Sequence, residues 1–164
     1  MVKSKSIISI DIDDEGLPPL TPEIEQERRL AIFDLLEENR FAVADFSKFN
    51  KIYEGPIALH ITSQGNRLIL SLRDPKTSEK IFDFILSTNP FRKVIREYSE
   101  ICASYFDAVK RLPPSKIEAI DMARRGIHNQ GADLLLERLD GKIDSNHATA
   151  KRLFTLICVL QLRE

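Results

Sequence analysis

The chain has little cysteine, no tryptophan and no strong excess of either charge. Its two cysteines, Cys102 and Cys158, are far apart, and each lies inside an apolar helical pattern. Such a pair excludes a disulfide-built scaffold and indicates small core side chains in a reducing compartment. Neither thiol has the electropositive, exposed surroundings that a reactive cysteine needs. A net charge of −1 gives no general electrostatic reason to bind nucleic acid or an anionic membrane.

Long hydrophobic runs are also absent. The longest near-apolar run extends from Leu153 to Leu162, well short of the ~20 residues that a membrane-spanning helix needs. The amino terminus carries lysines but no apolar segment of the signal-peptide kind. We therefore expect a cytoplasmic protein with no membrane contact. Because the final run is apolar on nearly all sides of a helix, we expect it to be buried, either in the core or in a homodimer through Leu153 to Leu162.

What the chain does contain is a balance typical of a globular domain. Hydrophobic residues make up 43% and charged residues 30% of 164 residues, which is enough for one domain with its own core. Alternating apolar residues predict a strand near the amino terminus and three strands further on. The predicted fold class is α+β, a short antiparallel β-meander of three to four strands packed against four to five helices. We expect a single domain over residues 1–164, with an N-terminal strand and connector in 1–20, a helix in 21–39, the meander in 57–86 and a helical C-terminal part in 90–160.

Several helix ends carry recognisable signals. The dipeptide Thr21-Pro22 predicts a helix start, and Ser115-Lys-Ile-Glu118 has the pattern of a capping box. Asp144 is placed to cap the last helix. The aromatic-rich residues from Phe41 to Tyr53 show no regular period, so we interpret this stretch as a packed loop or lid.

The most unusual segment is Asp121-Met-Ala-Arg-Arg-Gly-Ile-His-Asn-Gln-Gly131, which places charged residues and glycines between two apolar helical patterns. Each glycine costs about 1 kcal/mol relative to alanine in a helix interior. We predict that the helix either runs through to about Leu139 or breaks near Gly131. A segment that departs from local rules without a packing gain is where function or strain is expected.

On a helix, the side chains of Asp121, Arg124, Arg125 and His128 fall at i, i+3, i+4 and i+7 and share one side. We expect Asp121 to pair with Arg125 and to leave Arg124 free. Arginine forks bind phosphate or carboxylate groups, and a histidine can add a hydrogen bond or move a proton near neutral pH. A solvated face with weak ion pairs, or arginines that clamp a neighbouring element, is the structural alternative. The candidate ligand-binding residues are therefore Asp121, Arg124, Arg125, His128 and Asn129.

Three functions fit this segment. The leading hypothesis is a non-catalytic interaction or regulatory module whose anion-binding face centres on Arg124, Arg125 and His128, with an unknown protein or a small anionic ligand as partner. The first alternative is an enzyme acting on a phosphate- or carboxylate-bearing small molecule, with His128 as acid/base, the two arginines as clamps and Asp121 as orienter. The second alternative is RNA or DNA binding, which the charge balance does not favour. It requires a continuous basic stripe made by Arg124 with Arg92, Lys93, Lys151 and Arg152.

Metal ions and cofactors are not expected. His60, His128 and His147 are not at metal-ligand spacing, and neither a glycine-rich phosphate loop nor a nucleophile elbow occurs in the sequence. The acidic cluster over residues 11–15 lacks the ligand order of a calcium loop, so we interpret it as a solvated turn.

Three segments together resemble an uncharacterised protein family of alphaproteobacteria, one of the UPF series. They are Ala31-Ile-Phe-Asp-Leu-Leu-Glu-Glu-Asn39, Ile117-Glu-Ala-Ile-Asp-Met-Ala-Arg-Arg-Gly-Ile-His-Asn-Gln-Gly131, and Leu139-Asp-Gly-Lys-Ile-Asp144 running on into Arg152-Leu-Phe-Thr-Leu-Ile-Cys-Val-Leu160. The similarity extends from about Thr21 to the C-terminus and departs from the family pattern around residues 41–54. It implies a small soluble bacterial cytoplasmic protein, of a family with no assigned activity, mechanism or ligand.

Overall fold

The protein has the α+β architecture predicted from its sequence. The computed structural model describes residues 6–44, 53 and 55–161. In chain order the elements are β1 (Ile7–Ile12), α1 (Pro22–Glu37), β2 (Phe41–Val43), β3 (Ile57–Gln64), β4 (Arg67–Arg73), β5 (Lys80–Ser87), a single 3-10 turn (Asn89–Phe91), α2 (Arg92–Arg111), α3 (Pro114–Leu139), β6 (Ile143–Ser145) and α4 (His147–Gln161).

The main sheet has the strand order β1-β3-β4-β5. Strands β3, β4 and β5 form the predicted antiparallel meander, and a two-residue turn at Gly65 and Asn66 joins the first two. Gly65 has a φ of +61°, which glycine adopts without the steric penalty of a side chain. The amino-terminal strand β1 joins the sheet beside β3 in the parallel sense, so the sheet is mixed. A parallel neighbour is possible because α1 and β2 lie between the two strands in sequence and carry the chain back.

The stretch from Phe41 to Tyr53 starts differently from the predicted loop or lid. Phe41–Val43 is strand β2, which pairs antiparallel with β6 in a small second sheet. The side chain of Phe41 is fully buried, so this strand closes one end of the core. The loop interpretation is therefore wrong for Phe41–Val43, and residues 45–52 lie outside the described part of the chain.

Two of the three predicted helix caps are wrong. Thr21 does cap α1, since its hydroxyl accepts a hydrogen bond from the amide of Ile24. Helix α3, however, begins at Pro114 after Pro113, without a side-chain cap, so Ser115 already lies inside the first turn. The last helix is capped by Asn146, whose side chain accepts from the amide of Thr149 at 2.9 Å.

Asp144, the predicted cap of the last helix, lies in β6 and pairs with another part of the chain. Its carboxylate is 2.8 Å from Nη2 of Arg40, the residue before β2. Helix α4 begins at His147, so Asn146 occupies the N-cap position and Asp144 lies two residues too early to cap the helix. The ion pair instead joins the two strands of the small sheet at their surface.

Helix α3 runs unbroken for 26 residues to Leu139, so the first of the two predicted alternatives is confirmed and the helix does not break near Gly131. Gly131 faces the ring of Phe154 on α4, and a Cβ at this position would collide with that ring. The glycine is therefore used for close helix packing. In α4, residues 153–160 are all buried within the single chain. Cys102 and Cys158 are both buried, as predicted. Within the described ranges, no helix is long and apolar enough to cross a membrane.

Candidate functional site

A cleft lies where α1, α3 and α4 meet, and it contains part of the predicted binding segment. Its volume is about 410 Å³. We call it the three-helix cleft; its lining residues are Glu27, Leu30, Ala31 and Asp34 from α1, Arg124 and His128 from α3, and Ala148, Lys151, Arg152 and Thr155 from α4.

Arg124 is held in place by groups from three helices. Its Nη2 and Nε lie 2.7 and 3.1 Å from Oδ1 of Asp121, and its Nη1 lies 3.4 Å from Oε1 of Glu27. The guanidinium also sits 4.5 Å from the ring centroid of Tyr105 on α2. Asp121 does pair with Arg125, but the expectation that this leaves Arg124 free is wrong. Arg124 joins α3 to α1 and α2, and its side chain is only 20% exposed.

The other two polar candidates on α3 lie outside the three-helix cleft. Arg125 is 60% exposed, and its Nε is 3.3 Å from Oδ2 of Asp121, which thus serves both arginines. Asn129 is exposed on the helix surface. Successive residues on a helix are about 100° apart, so the neighbours of Arg124 and His128 point away from the cleft that those two line. The structure thus brings Arg124 and His128 together and separates Arg125 and Asn129 from them.

His128 has the environment of a packed, neutral histidine. Its Nε2 is 2.9 Å from the carbonyl oxygen of Lys151 and 2.9 Å from the hydroxyl of Thr155. Its ring stacks on Tyr98 with centroids 5.1 Å apart. Burial lowers the pKa of His128 to about 4, because the charged imidazolium loses solvation there. A pKa of about 4 is well below the value near neutral pH that suits a general acid or base, and both hydrogen-bond partners of Nε2 belong to α4.

The depressed pKa of His128 predicts acid sensitivity. Its folded-state pKa of about 4 lies below the ordinary value of 6.5, so the neutral ring contributes stability above pH 6.5. That contribution is lost as the pH falls from 6.5 through 4. We expect the free energy of unfolding, measured by urea denaturation, to fall over this window in the wild type. The fall should be smaller in His128→Gln, and a loss of stability as steep in His128→Gln as in the wild type would contradict this assignment.

Two cations on α4 are less fully engaged than Arg124. Among the described residues, the Lys151 amine makes no ion pair and no hydrogen bond. Arg152 donates from Nη1 to the carbonyl oxygen of Ala148 at 2.9 Å. Its Nε is buried without a hydrogen-bond acceptor and lies 3.7 Å from the carboxylate of Asp34, too far for a good bond. A buried N–H group without an acceptor is energetically costly. The Nε–H of Arg152 can therefore donate a hydrogen bond to an acceptor that a ligand supplies.

The described residues offer no ready metal site. Neither the ranges 6–44 and 55–161 nor Tyr53 contain three histidine, cysteine, aspartate or glutamate side chains grouped closely enough to hold a metal ion. His147 lies with its Nε2 3.1 Å from the carboxylate of Asp133 on α3.

Comparison with known proteins places the chain in a family. The model of the uncharacterised protein family UPF0262 matches residues 4–163. The chain belongs to this family. A UPF0262 protein of Dinoroseobacter shibae is 55% identical over 154 residues, which cover 94% of this chain and 96% of the relative. A UPF0262 protein of Roseobacter denitrificans is 54% identical with the same coverage, and one of Paracoccus denitrificans is 54% identical over 92% of both chains.

The resemblance to an alphaproteobacterial family is thus confirmed, and it extends further toward the amino terminus than Thr21. No solved structure matches this UPF0262 chain. Because the family description names no activity, the chemistry of the site has to be inferred from its own residues.

Sequence reasoning did not place Lys151 and Arg152 among the candidate binding residues, although both line the three-helix cleft. Thr155 also lines it and lies within the run from Leu153 to Leu162 that the sequence presents as near-apolar. A signal for them was available in the α4 pattern, because polar residues recur there at i and i+4 in an otherwise apolar helix. A narrow polar stripe on a buried helix indicates that something polar faces it.

Proposed function

We propose that this protein is a non-catalytic binding module that holds the anionic group of a small phosphate-bearing molecule in the three-helix cleft. The observation that carries the proposal is the buried Nε–H of Arg152, which has no acceptor within hydrogen-bond distance. Beside it on α4 is Lys151, which makes no ion pair among the described residues. An oxyanion between the two would accept from both cations, and such charge-assisted bonds are among the stronger ones in proteins.

The size and the walls of the cleft support a small ligand. A volume of about 410 Å³ falls in the range of about 300–1,000 Å³ typical of small-molecule sites. Leu30 is 50% exposed beside the cleft and offers an apolar wall for the rest of the molecule. Arg124 and His128 also line the cleft, and their bonds to other helices keep them fixed. Preorganised walls reduce the cost of ordering side chains when a ligand binds.

The enzymatic alternative is less well supported. It needs His128 as acid/base, yet this side chain is bonded to Lys151 and Thr155 and has a pKa of about 4. RNA or DNA binding needs a continuous basic stripe. Instead, the acidic residues Glu27 and Asp34 lie among the cations of the cleft and interrupt such a stripe.

A cytoplasmic location forms part of the proposal, since buried free thiols such as Cys158 suit a reducing compartment.

A thermal-shift screen of sugar phosphates, nucleotides and organic acids tests the binding proposal. A ligand present at 100 times its dissociation constant stabilises by about 2.7 kcal/mol, which raises the unfolding midpoint by roughly 5–10 °C for a domain of this size. We expect at least one phosphate compound to give such a shift with the wild type. The shift should be lost in Arg152→Gln and reduced in Lys151→Gln, because these changes remove the cations but keep an unbranched polar side chain.

The matched control is Arg125→Gln, which removes an arginine charge outside the cleft. It should bind like the wild type, so loss of the shift in Arg152→Gln alone supports the cleft as the site. Midpoints of the ligand-free variants show whether each one folds. A phosphate compound that stabilises Arg152→Gln as strongly as the wild type, or a screen without any shift, would overturn the proposal.

A further inference from the structure

The outer face of the main sheet carries a row of polar residues in register across all four strands. Asp11 of β1 is opposite His60 of β3, His60 is opposite Ser71 of β4, and Ser71 is opposite Asp83 of β5. The row forms two hydrogen-bonded pairs. Oδ2 of Asp11 lies 2.8 Å from Nδ1 of His60, and the Ser71 hydroxyl donates to Oδ1 of Asp83 at 2.5 Å.

The next row on the same face has a gap in the middle. Ser9, Ala58 and Arg73 are opposite one another on β1, β3 and β4. Because Ala58 has a single methyl group, the space between the longer side chains is left empty as a pocket of about 190 Å³. Besides these three residues, its lining includes Asp11, Leu59, His60, Asp74 and Ser78.

Two of these side chains can act on a ligand. The carboxylate of Asp11 accepts from Nδ1–H of His60, which fixes the ring and leaves Nε2 as an acceptor. Among the described residues, Arg73 makes no ion pair, so its guanidinium is available as a donor. His60 and Arg73 are diagonal neighbours on the sheet face, with backbones about 7–8 Å apart, a distance that a small molecule bridges.

The acidic residues of the pocket are already engaged. Asp11 is bonded to His60, and Oδ1 of Asp74 accepts from the amide of Lys76 at 2.8 Å. Asp11, His60 and Ser71 have the residue types of a hydrolytic triad, but Ser71 is buried and donates its hydroxyl proton to Asp83. It cannot give that proton to His60, so this arrangement fits binding and not nucleophilic catalysis.

We infer that this pocket is a second ligand site, which binds a small oxyanion that also carries a hydroxyl group. In it, Arg73 donates to the oxyanion oxygens, and the hydroxyl of the ligand donates to Nε2 of His60. Hydrogenphosphate and short 2-hydroxycarboxylates share this chemistry. The inference does not depend on the three-helix cleft, because the two sites have no lining residue in common.

Backbone-amide NMR titrations with inorganic phosphate and with glycolate test this site directly and tell the two sources of oxyanion apart. In the wild type, we expect saturable shifts of the amides of Leu59, His60 and Ser78 with at least one probe. Two variants remove the site in different ways. Arg73→Gln takes away the cationic guanidinium, and Ala58→Leu fills the pocket; each should raise the dissociation constant about tenfold or more.

The matched control is Thr62→Leu, which places a leucine on the same strand and face but outside the pocket. It should leave the dissociation constant unchanged. Saturable shifts at Ser78 that weaken in both pocket variants but not in the control support the site. Shifts that never saturate with either probe, or equal affinity in Arg73→Gln and the wild type, would overturn it. Shifts confined to Lys151 and Arg152 would also overturn it, because they belong to the other cleft.

Discussion

Replacing Asn39 by alanine should lower the free energy of unfolding by about 3 kcal/mol, a large part of the 5–15 kcal/mol typical of a domain. The Asn39 side chain is only 2% exposed and connects the end of α1 to β1. Its Oδ1 accepts from the amides of Ser6 and Ile7 at 3.0 and 2.9 Å, and its Nδ2 donates to the carbonyl oxygens of Ile7 and Leu35 at 2.9 and 2.8 Å. Alanine leaves these buried backbone groups without partners, which is the expensive case for a lost hydrogen bond.

Urea denaturation measures this effect, with Glu38→Ala as the control. Glu38 is the exposed neighbour of Asn39, so its removal should change the free energy of unfolding by no more than about 0.5 kcal/mol. A loss in Asn39→Ala no greater than in the control would show that water replaces the amide, contrary to the burial seen here.

In the near-isosteric variant Asn39→Asp, the free energy of unfolding should depend on pH through the new buried carboxyl group. One carboxyl oxygen would then face the carbonyl oxygens of Ile7 and Leu35, so burial and repulsion should raise its pKa above the ordinary value of about 3.9. A folded-state pKa above the unfolded one means that the stabilising, protonated form is present at low pH and is lost as the pH rises. The deficit relative to the wild type should therefore be smaller at pH 4 than at pH 7. A deficit independent of pH would contradict this account.

The parts of the fold that were predictable are those governed by local periodicity. Strands β3 to β5 alternate over seven or eight residues, and α2 keeps its apolar stripe for 20 residues. Strand β2 has only three residues, too few to show a period of two, and its partner β6 is about 100 positions away. The parallel pairing of β1 with β3 likewise depends on the crossover connection through α1 and β2, which no local sequence pattern predicts.

The candidate site was predictable only as far as one helix determines it. Helical spacing places both Arg124 and Arg125 beside Asp121, and nothing on α3 decides between them. The decision comes from Glu27 on α1 and Tyr105 on α2, which draw Arg124 inward. The cleft itself combines three helices, so Lys151 and Arg152 gained their significance only once α4 was packed against α1 and α3.

Gly131 shows why a local rule can point the wrong way. In sequence, Gly126 and Gly131 both carry the same cost for a helix interior, so both suggest a break. In the fold, Gly126 has open space around its Cα, whereas Gly131 lies against the buried ring of Phe154. The helical pattern indicates how much a glycine costs its own helix. It cannot show which residue of another helix occupies the space that a side chain at this position would fill.

These two glycines should respond in opposite directions to alanine. Gly126→Ala should raise the free energy of unfolding by up to about 1 kcal/mol, because it gains helix propensity and meets no atom. Gly131→Ala should lower it by about 1–3 kcal/mol, because the added methyl group overpacks the core. Phe154 is fully buried and packs against Tyr98 and His128, so its ring cannot move aside without displacing them.

Urea denaturation of the two single variants and one double variant separates propensity from packing. Phe154→Leu shortens the side chain that Gly131 faces, so the cost of Gly131→Ala should shrink in that background while the gain from Gly126→Ala persists. Contacting residues couple in this way, and distant ones add independently. If both alanine variants were stabilised alike, α3 and α4 would not be in close contact at Gly131. The position of His128 in the three-helix cleft would then also be in doubt, because its ring packs against the ring of Phe154.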